Sequence, residues 1–301
     1  MQRIGLLVFG LLGCGFRPGG AQEAAGTTLW RVAATTVPTP AALAVGPAAA
    51  FWNPAQRVDS ARVILAVEAI QTPSAVDASG IIATVRVPAG KIGELGIIYG
   101  RVGLSDITQT MDSPDPTGAV VPVYTFGLGG TWSRRIGATN VGATLAFHQT
   151  RLDTEISDRM TLDVGASHAF SGDKFRIAAA THFFSSLDTN DPSQDIYAGV
   201  EARVWHGMIS GERAALRGRY GIAFAHGFTA DQQVGLGVEL AQSFMFDFLL
   251  AYEGGYGNGS TWRPVAGIRL AIGKYHLTLA RDAGVNDVGS AYRVGIDARF
   301  K

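Results

Sequence analysis

The side chains in this sequence that could do chemistry are arginines and carboxylates, and they recur at every second position. In 290–300, Arg293, Gly295, Asp297 and Arg299 share one parity, while Tyr292, Val294, Ile296, Ala298 and Phe300 share the other. In 261–272, Arg263, Gly267 and Arg269 oppose Trp262, Ala266, Ile268, Leu270 and Ile272. Arg213, Arg217 and Arg219 oppose Leu216, Tyr220, Ile222 and Phe224, and Lys174, Arg176 and His182 oppose Phe175, Ile177 and Ala179. Successive side chains of a strand point to opposite faces, so each segment has one greasy and one charged face. A helix would smear the charges around its circumference. The charged faces collect Arg176, Arg217, Arg219, Arg269, Arg293, Glu201, Glu239 and Asp297. Such residues either line a pore or pair into a network that fills a narrow lumen, because unpaired buried charge is costly.

Other chemistries do not assemble. Ser167 and His168 are adjacent and so face opposite sides, which denies a nucleophile its base, and no enzyme is expected. The six histidines lack metal-ligand spacing. Asp112, Asp115, Asp188, Asp191 and Asp195 are read as solvated loop acids without the pattern of a calcium loop. No metal or cofactor is expected. Gly127-Leu128-Gly129-Gly130 and Gly235-Leu236-Gly237 sit inside strands with no helix after them, so they are not phosphate loops. Small residues there let strands bend or bulky side chains cross. Lys+Arg and Asp+Glu balance at 25 each, so no basic surface exists for nucleic acid.

The elements that must position these charges are strands of unusual length. Fourteen period-two segments can be drawn, at 61–70, 78–87, 91–103, 120–134, 139–151, 159–171, 174–185, 195–206, 213–226, 232–242, 247–252, 261–272, 275–281 and 290–300. Most match the length of a tilted strand crossing about 30 Å of hydrocarbon. The connections alternate: 71–77, 104–119, 152–158, 186–194, 227–231, 253–260 and 282–289 are the longer set, and 88–90, 135–138, 172–173, 206–212, 243–246 and 273–274 are tight turns. The pair 206–212 and 227–231 fits this alternation poorly. Composition agrees: 47 % hydrophobic, 17 % charged and 39 glycines in 301 residues, with a mean hydropathy of +0.16. No uncharged apolar run of 18 residues follows residue 20. The expected fold is all-β: a transmembrane antiparallel β-barrel of about fourteen strands with an N-terminal lumenal or periplasmic segment. Trp30, Tyr124, Trp132, Trp205, Tyr220, Tyr252, Trp262, Tyr275 and Tyr292 would form its interfacial girdles.

Residues 1–21 read as a signal peptide: Arg3, an apolar run from Ile4 to Leu12, then Gly19-Gly20-Ala21 as a cleavage site. Cleavage after Ala21 removes the single cysteine, Cys14; lipidation at Cys14 is the competing reading. Residues 22–60 form a hatch or plug, and 61–301 the barrel. Pro54 biases Asn53 away from helix, and the Asn53 side chain can satisfy backbone groups where the chain turns from lumen to wall.

The run Ala44-Val45-Gly46-Pro47-Ala48-Ala49-Ala50-Phe51-Trp52-Asn53-Pro54-Ala55 resembles the segment before strand one in the long-chain fatty-acid transporter (FadL) superfamily, on its shorter PorV/PorQ-like branch. The resemblance implies a fourteen-stranded outer-membrane barrel, with Trp52, Asn53 and Pro54 in a hatch. It departs at Pro47 and at Gln56-Arg57, where the family tends to carry further glycine and Gly-Leu. The implied role is passive passage of small, largely hydrophobic molecules, or alternatively a non-catalytic barrel that holds exported proteins at the cell surface. The end of the chain, Arg293-Val-Gly295-Ile-Asp-Ala298-Arg-Phe300, resembles an outer-membrane insertion signal, with Gly295 and Phe300 its key positions and Lys301 a departure after them. Expected partners are therefore outer-membrane lipids, the barrel assembly machinery, and hydrophobic small molecules or exported proteins.

Overall fold

A computed structural model of the chain describes residues 29–30, 33–34, 36–56, 63–73, 77–105, 107–110, 116–171, 174–182, 195–225, 229–241, 243–253, 261–283 and 290–300. The signal-peptide reading and the loop acids Asp112, Asp115, Asp188 and Asp191 lie outside these residues.

The described residues form sixteen strands in order: β1 (Val63–Gln71), β2 (Ala78–Pro88), β3 (Glu94–Leu104), β4 (Thr108–Thr110), β5 (Pro116–Val120), β6 (Val123–Ile136), β7 (Thr139–Leu152), β8 (Glu155–Phe170), β9 (Phe175–His182), β10 (Asp195–Ile209), β11 (Glu212–Ala225), β12 (Thr229–Leu240), β13 (Phe244–Glu253), β14 (Thr261–Ile272), β15 (Tyr275–Asp282) and β16 (Ala291–Phe300). Fourteen of them close into an antiparallel barrel, each paired to its neighbour in sequence. The remaining two, β4 and β5, form a separate hairpin between β3 and β6. Closure is made by β1 against β16, in register from Val63 opposite Phe300 to Gln71 opposite Tyr292. No barrel edge is left unpaired, which is the condition for strands to sit in lipid.

Burial alternates as the sequence period demands. Along β16 the pattern runs buried, exposed, buried, exposed from Ala291 to Gly295 and beyond. Outward-facing Leu65, Val67, Ile97, Leu128, Leu236 and Ile296 are between 43 and 59 % exposed. Inward-facing Thr84, Arg86, Thr125, Asp163 and Asp247 are nearly inaccessible. This is the reverse of a water-soluble protein and defines a transmembrane barrel with a polar interior. Cations meet aromatic rings on the outer face: Arg101 lies 4.7 Å from the Tyr124 ring, and Lys274 lies 5.2 Å from that of Tyr275 and 4.9 Å from that of Phe300.

Three expectations need correction. The connection read as 152–158 is a two-residue turn at 153–154, because β7 and β8 run on into an exposed extension. The turn read as 206–212 shortens to 210–211, because β10 carries a register shift between Arg203 and Trp205 and so continues to Ile209. Trp30 belongs to no girdle: it is 1 % exposed, within the barrel.

A charge at mid-strand on the outer face meets hydrocarbon, whereas one at a strand end meets the interface. We expect Ile97→Arg to lower folding stability in bilayers by about 2–4 kcal/mol and Ile136→Arg by about 0–1 kcal/mol. Urea titration of folding into lipid vesicles measures both. Equal costs would contradict a bilayer spanning the strand centres.

Candidate functional site: a plugged lumen

The lumen is filled by the described part of residues 29–56. Two short 3-10 turns, Ala41–Leu43 and Pro47–Phe51, give the segment its only regular structure among residues 36–56. Proline at 38, 40 and 47 removes backbone donors and disfavours both helix and ladder. The segment therefore packs by its side chains. Trp30, Leu43, Phe51 and Trp52 are buried in one cluster with Ile70, Ile82, Ile98, Val102, Ala178, Tyr197 and Ala223 of the wall. Burial of each large side chain stabilises by roughly 1.5–3 kcal/mol. The Trp30 and Phe51 rings lie 4.9 Å apart, and those of Phe51 and Trp52 5.0 Å.

The segment touches the wall where facing strands both lack a side chain. Gly142 of β7 pairs with Gly165 of β8, and a Cβ at either would collide with the Pro54 carbonyl or with Asn53 Oδ1. Gly199 of β10 pairs with Gly221 of β11; a Cβ on the first would meet Leu43 at 2.8 Å, and on the second Pro40. Gly100 of β3 pairs with Gly127 of β6, where a Cβ would meet Trp30 at 2.6 Å and His148 at 2.9 Å respectively. The first two pairs are dimples two strands wide that seat the segment; in the third, Gly100 admits Trp30 of the segment and Gly127 admits His148 of the wall. Gly127, crossed by His148, and Gly237, crossed by the Arg219 guanidinium, are places where small residues let bulky wall side chains cross, as read from the sequence.

Asn53 is fully used. Its Nδ2 donates to the Ala42 carbonyl at 2.7 Å, and its Oδ1 accepts the Ala55 N–H at 2.9 Å. The second bond is the Asx turn that Asn-Pro favours. Trp52 stacks beside His182 at 5.6 Å and under Arg293 at 5.9 Å. Pro54 places its carbonyl over Gly142.

Three wall arginines grip three backbone carbonyls of the segment. Arg293 donates to the Ala33 carbonyl at 2.7 Å and to Thr36 Oγ1 at 3.0 Å, while pairing with Glu68. Arg176 donates to the Leu43 carbonyl at 3.1 Å and to Gln56 Oε1 at 3.2 Å. Arg86 donates to the Gln56 carbonyl at 2.6 Å and pairs with Glu94 at 2.7 Å. A guanidinium presents its donors as a rigid fork, so one group can hold a carboxylate of the wall and a carbonyl of the segment together.

The other arginines and carboxylates form a ladder along β9–β14. Glu201 accepts Arg219 Nε at 2.6 Å and lies 3.4 Å from Arg217 and 3.6 Å from Arg176. Arg217 reaches Glu239 at 3.2 Å, Arg219 pairs with Asp247, and Asp247 reaches Arg269 at 3.6 Å. Asp297 stands apart, bonded to His276 at 2.7 Å and Arg299 at 3.2 Å. Gly295 packs against Glu68, and Phe300 faces outward beside Lys274.

Several inward groups escaped the sequence reading: Arg86 and Glu94, which pair with each other, Asp163 and Asp282, which pair with the already sorted His182 and Arg263, and Glu68 and Asp247. The period-two signal carried all of them. Asp195, read as a loop acid, begins β10, is buried, and accepts the Tyr197 hydroxyl at 3.1 Å. Beside the segment the lumen keeps a gap of about 30 Å³, bordered by Pro38, Trp52, Glu68, Arg269 and Arg293, room for about one water.

The fold and site together define a closed transmembrane β-barrel whose lumen is occupied by its own N-terminal chain. No protein-family model matches the sequence, and no curated protein matches it. Among solved structures it is similar to the outer membrane protein Omp33 of Acinetobacter baumannii, at 11 % identity over 80 % of this chain and 98 % of that one, with a TM-score of 0.47. It is similar to CdiB from Acinetobacter baumannii at 11 % identity over 81 % and 61 %, TM-score 0.44, and to the KdgM porin at 8 % identity over 79 % and 100 %, TM-score 0.38. With scores below 0.5, these likenesses add no weight to the barrel read from the strand pairing itself.

Loss of the Asn53 side chain leaves the Ala55 N–H without its acceptor, at about 1–3 kcal/mol, and leaves the Ala42 carbonyl with Gln56 Nε2 alone, at 2.9 Å. Asn53→Ala is expected to raise protease cleavage within residues 29–56 while the heat-modifiable gel shift of the barrel persists. Gly142→Val leaves no room for Pro54 and should move Trp30 and Trp52 toward water, red-shifting tryptophan emission. Unchanged cleavage and emission in both variants would show that the contacts do not hold the segment.

Proposed function

We propose that the protein is an outer-membrane barrel through which small, largely apolar molecules pass, with residues 29–56 as its gate. The carrying observation is that the barrel ladder closes without the segment: none of its described residues forms a strand or pairs with the wall. The obstruction is separable from the structure it obstructs. Withdrawal of the segment uncovers Ile70, Ile82, Ile98 and Val102, an apolar strip facing the charged ladder across the lumen. A solute with an apolar body suits that strip. The resemblance of Ala44–Ala55 to the FadL superfamily, PorV/PorQ-like branch, supports the reading, in which Trp52, Asn53 and Pro54 belong to the moving part. Residence in a bilayer follows from physics, since a closed antiparallel barrel with an apolar outer face is the strand-built structure lipid tolerates; the outer membrane is the bilayer this reading assigns. Gly295 and Phe300 are then the positions presented to the barrel assembly machinery.

A second reading is favoured by the tightness of the seal. The wall pairing is continuous among the described residues, and the gap beside the segment holds about one water. A permanently sealed barrel would serve as a scaffold for exported proteins.

Proteoliposomes separate the two. The full chain and a variant lacking residues 22–56 are reconstituted, and swelling in small solutes and fatty-acid uptake are measured. Passage through the shortened chain, with slower passage through the full chain, is the expected result. If neither passes solute while both show heat-modifiable migration, the gate reading fails and the scaffold stands.

A further inference from the structure

The hairpin of β10 and β11 runs past its neighbour at the end bearing the short turns. Pairing of β10 with β9 stops at Ala202 opposite Phe175, whereas pairing with β11 continues to Ile209 opposite Glu212. From Val204 to Ile209, β10 therefore has a strand on one side only among the described residues. Hydrocarbon does not tolerate a strand edge, so this stretch stands clear of the bilayer core.

The turn settles which backbone groups the edge presents. Ser210 and Gly211 both have positive φ, at 50° and 83°, as the two-residue turn of a hairpin requires. Ile209 and Glu212 then exchange both of their hydrogen bonds, and alternation gives the same to Gly207–Ala214 and Trp205–Leu216. His206 and Met208 lie between these pairs, so their N–H and C=O groups point away from β11. Pairing skips Val204, and Arg203 beyond it points the same way: its N–H donates to the Lys174 carbonyl at 2.8 Å. Lysine or proline would guard such an edge; instead Val204, Trp205, Met208 and Ile209 are 43–62 % exposed. The two faces differ. On the outer face the Trp205 ring lies over Gly207, where a Cβ would meet it at 2.6 Å. On the inner face His206 and Arg213 border a cavity of about 470 Å³, and neither makes an ion pair among the described residues. Glu239, the one carboxylate among the residues lining that cavity, is held by Arg217 at 3.2 Å.

We propose that this edge receives an extended segment of a partner protein, acidic at alternate positions, as an added antiparallel strand. Backbone pairing with His206 and Met208 supplies the affinity, and side chains supply the selection. Partner residues across from His206 and Met208 lie on the inner face, where a carboxylate meets the His206 ring and the Arg213 guanidinium. The alternate residues lie on the outer face beside Trp205 and Ile209, and are apolar. A second copy in the same membrane would present the same strand running the same way with the same cations, so charge opposes pairing of two copies. Short turns of an outer-membrane barrel face the periplasm, which makes the partner a protein met on that side. The edge belongs to the wall, so it serves a gated and a sealed lumen alike.

The test is fluorescence anisotropy of a labelled ten-residue peptide of alternating valine and glutamate, titrated with the full chain in lipid nanodiscs. We expect saturable binding. A residue opposite His206 exchanges both hydrogen bonds with it, so N-methylation of the glutamates should weaken binding by about tenfold or more, and N-methylation of the valines should not. Lysine in place of glutamate should weaken it as much. Met208→Pro removes an edge N–H without touching the ladder to β11, and Arg213→Glu reverses a charge; each should cost about tenfold. Arg135→Glu, at another short turn, should cost nothing. Heat-modifiable migration reports folding of each variant. On the unaltered chain, amide hydrogen exchange at 204–209 should be fast and should slow when peptide binds, with β3 unchanged. No saturable binding at about 1 mM peptide, equal binding of the glutamate-methylated or lysine peptide, or unchanged exchange at 204–209 overturns the proposal. Slow exchange there before peptide is added also overturns it, assigning the edge to a second copy where cross-linking captures a dimer and to lipid where it does not.

Discussion

The structure depends on a problem of close approach. Barrels of about eight strands are filled by their own side chains, while those of about sixteen leave a channel. Fourteen strands fall between, and here much of the remaining space is taken by a chain segment whose described residues form no strand. Such a segment fills the lumen only if its backbone comes near the wall. The cross-strand pairs Gly142–Gly165 and Gly199–Gly221 allow that approach directly, and at Gly100–Gly127 the two gaps admit Trp30 of the segment and His148 of the wall side by side. A single glycine would leave the neighbouring Cβ in the way. Paired glycines clear a patch wide enough for the Asn53-Pro54 corner, for Pro40 and Leu43, or for the Trp30 and His148 rings.

Close packing then creates an electrostatic need, which the same segment meets. Buried guanidinium groups keep their charge and must find acceptors. Wall carboxylates supply some, but Arg86, Arg176 and Arg293 each also take a carbonyl of the inner segment. Those carbonyls have no ladder partners: Leu43 and Gln56 lie among prolines, and Ala33 lies in a helical turn. Donors left over by the wall thus match acceptors left over by the segment. The polar interface fixes where the segment sits; the aromatic cluster of Trp30, Phe51 and Trp52 supplies most of the apolar burial.

Much of this was legible in the residues, and what was hidden was hidden for definite reasons. Period-two alternation is local, so all fourteen barrel strands could be drawn and their charged faces sorted inward. Asn53-Pro54 is also local, and its turn is the one those two residue types favour. Register is not local. Nothing in the sequence says that Gly142 will face Gly165 or that Arg203 will face Arg217, because pairing depends on the bulge in β10 and on where each turn falls. The bulge itself is a one-residue slip inside a strand, and it made 206–212 look like a loop. At 152–158 exposed polar residues suggested a loop for a different reason: strands that project beyond lipid lose their apolar outer face while keeping their hydrogen bonds. Asp195 was misplaced because a buried acid satisfied by a tyrosine hydroxyl looks, in sequence, like any acid at a loop edge. Trp30 was misplaced because an aromatic beside the barrel and one inside it have the same composition signal.

The division of labour inside the lumen bears on how a gate of this kind could work. A strand cannot leave a closed barrel without exposing two rows of backbone groups to hydrocarbon, each at a cost of several kcal/mol. The inner segment has no such ladder to lose. Its attachment includes three guanidinium–carbonyl contacts, worth roughly 1.5–3 kcal/mol each, side-chain bonds from Arg293 to Thr36, Arg176 to Gln56 and Trp30 to Thr125, and apolar side chains that leave one apolar surface for another when a hydrophobic solute takes their place. A solute that covers Ile70, Ile82, Ile98 and Val102 as the segment withdraws would replace much of the lost burial. A purely polar solute would not. Selectivity for apolar molecules would then arise from the energetics of displacing the segment, with no residue needed to read a head group.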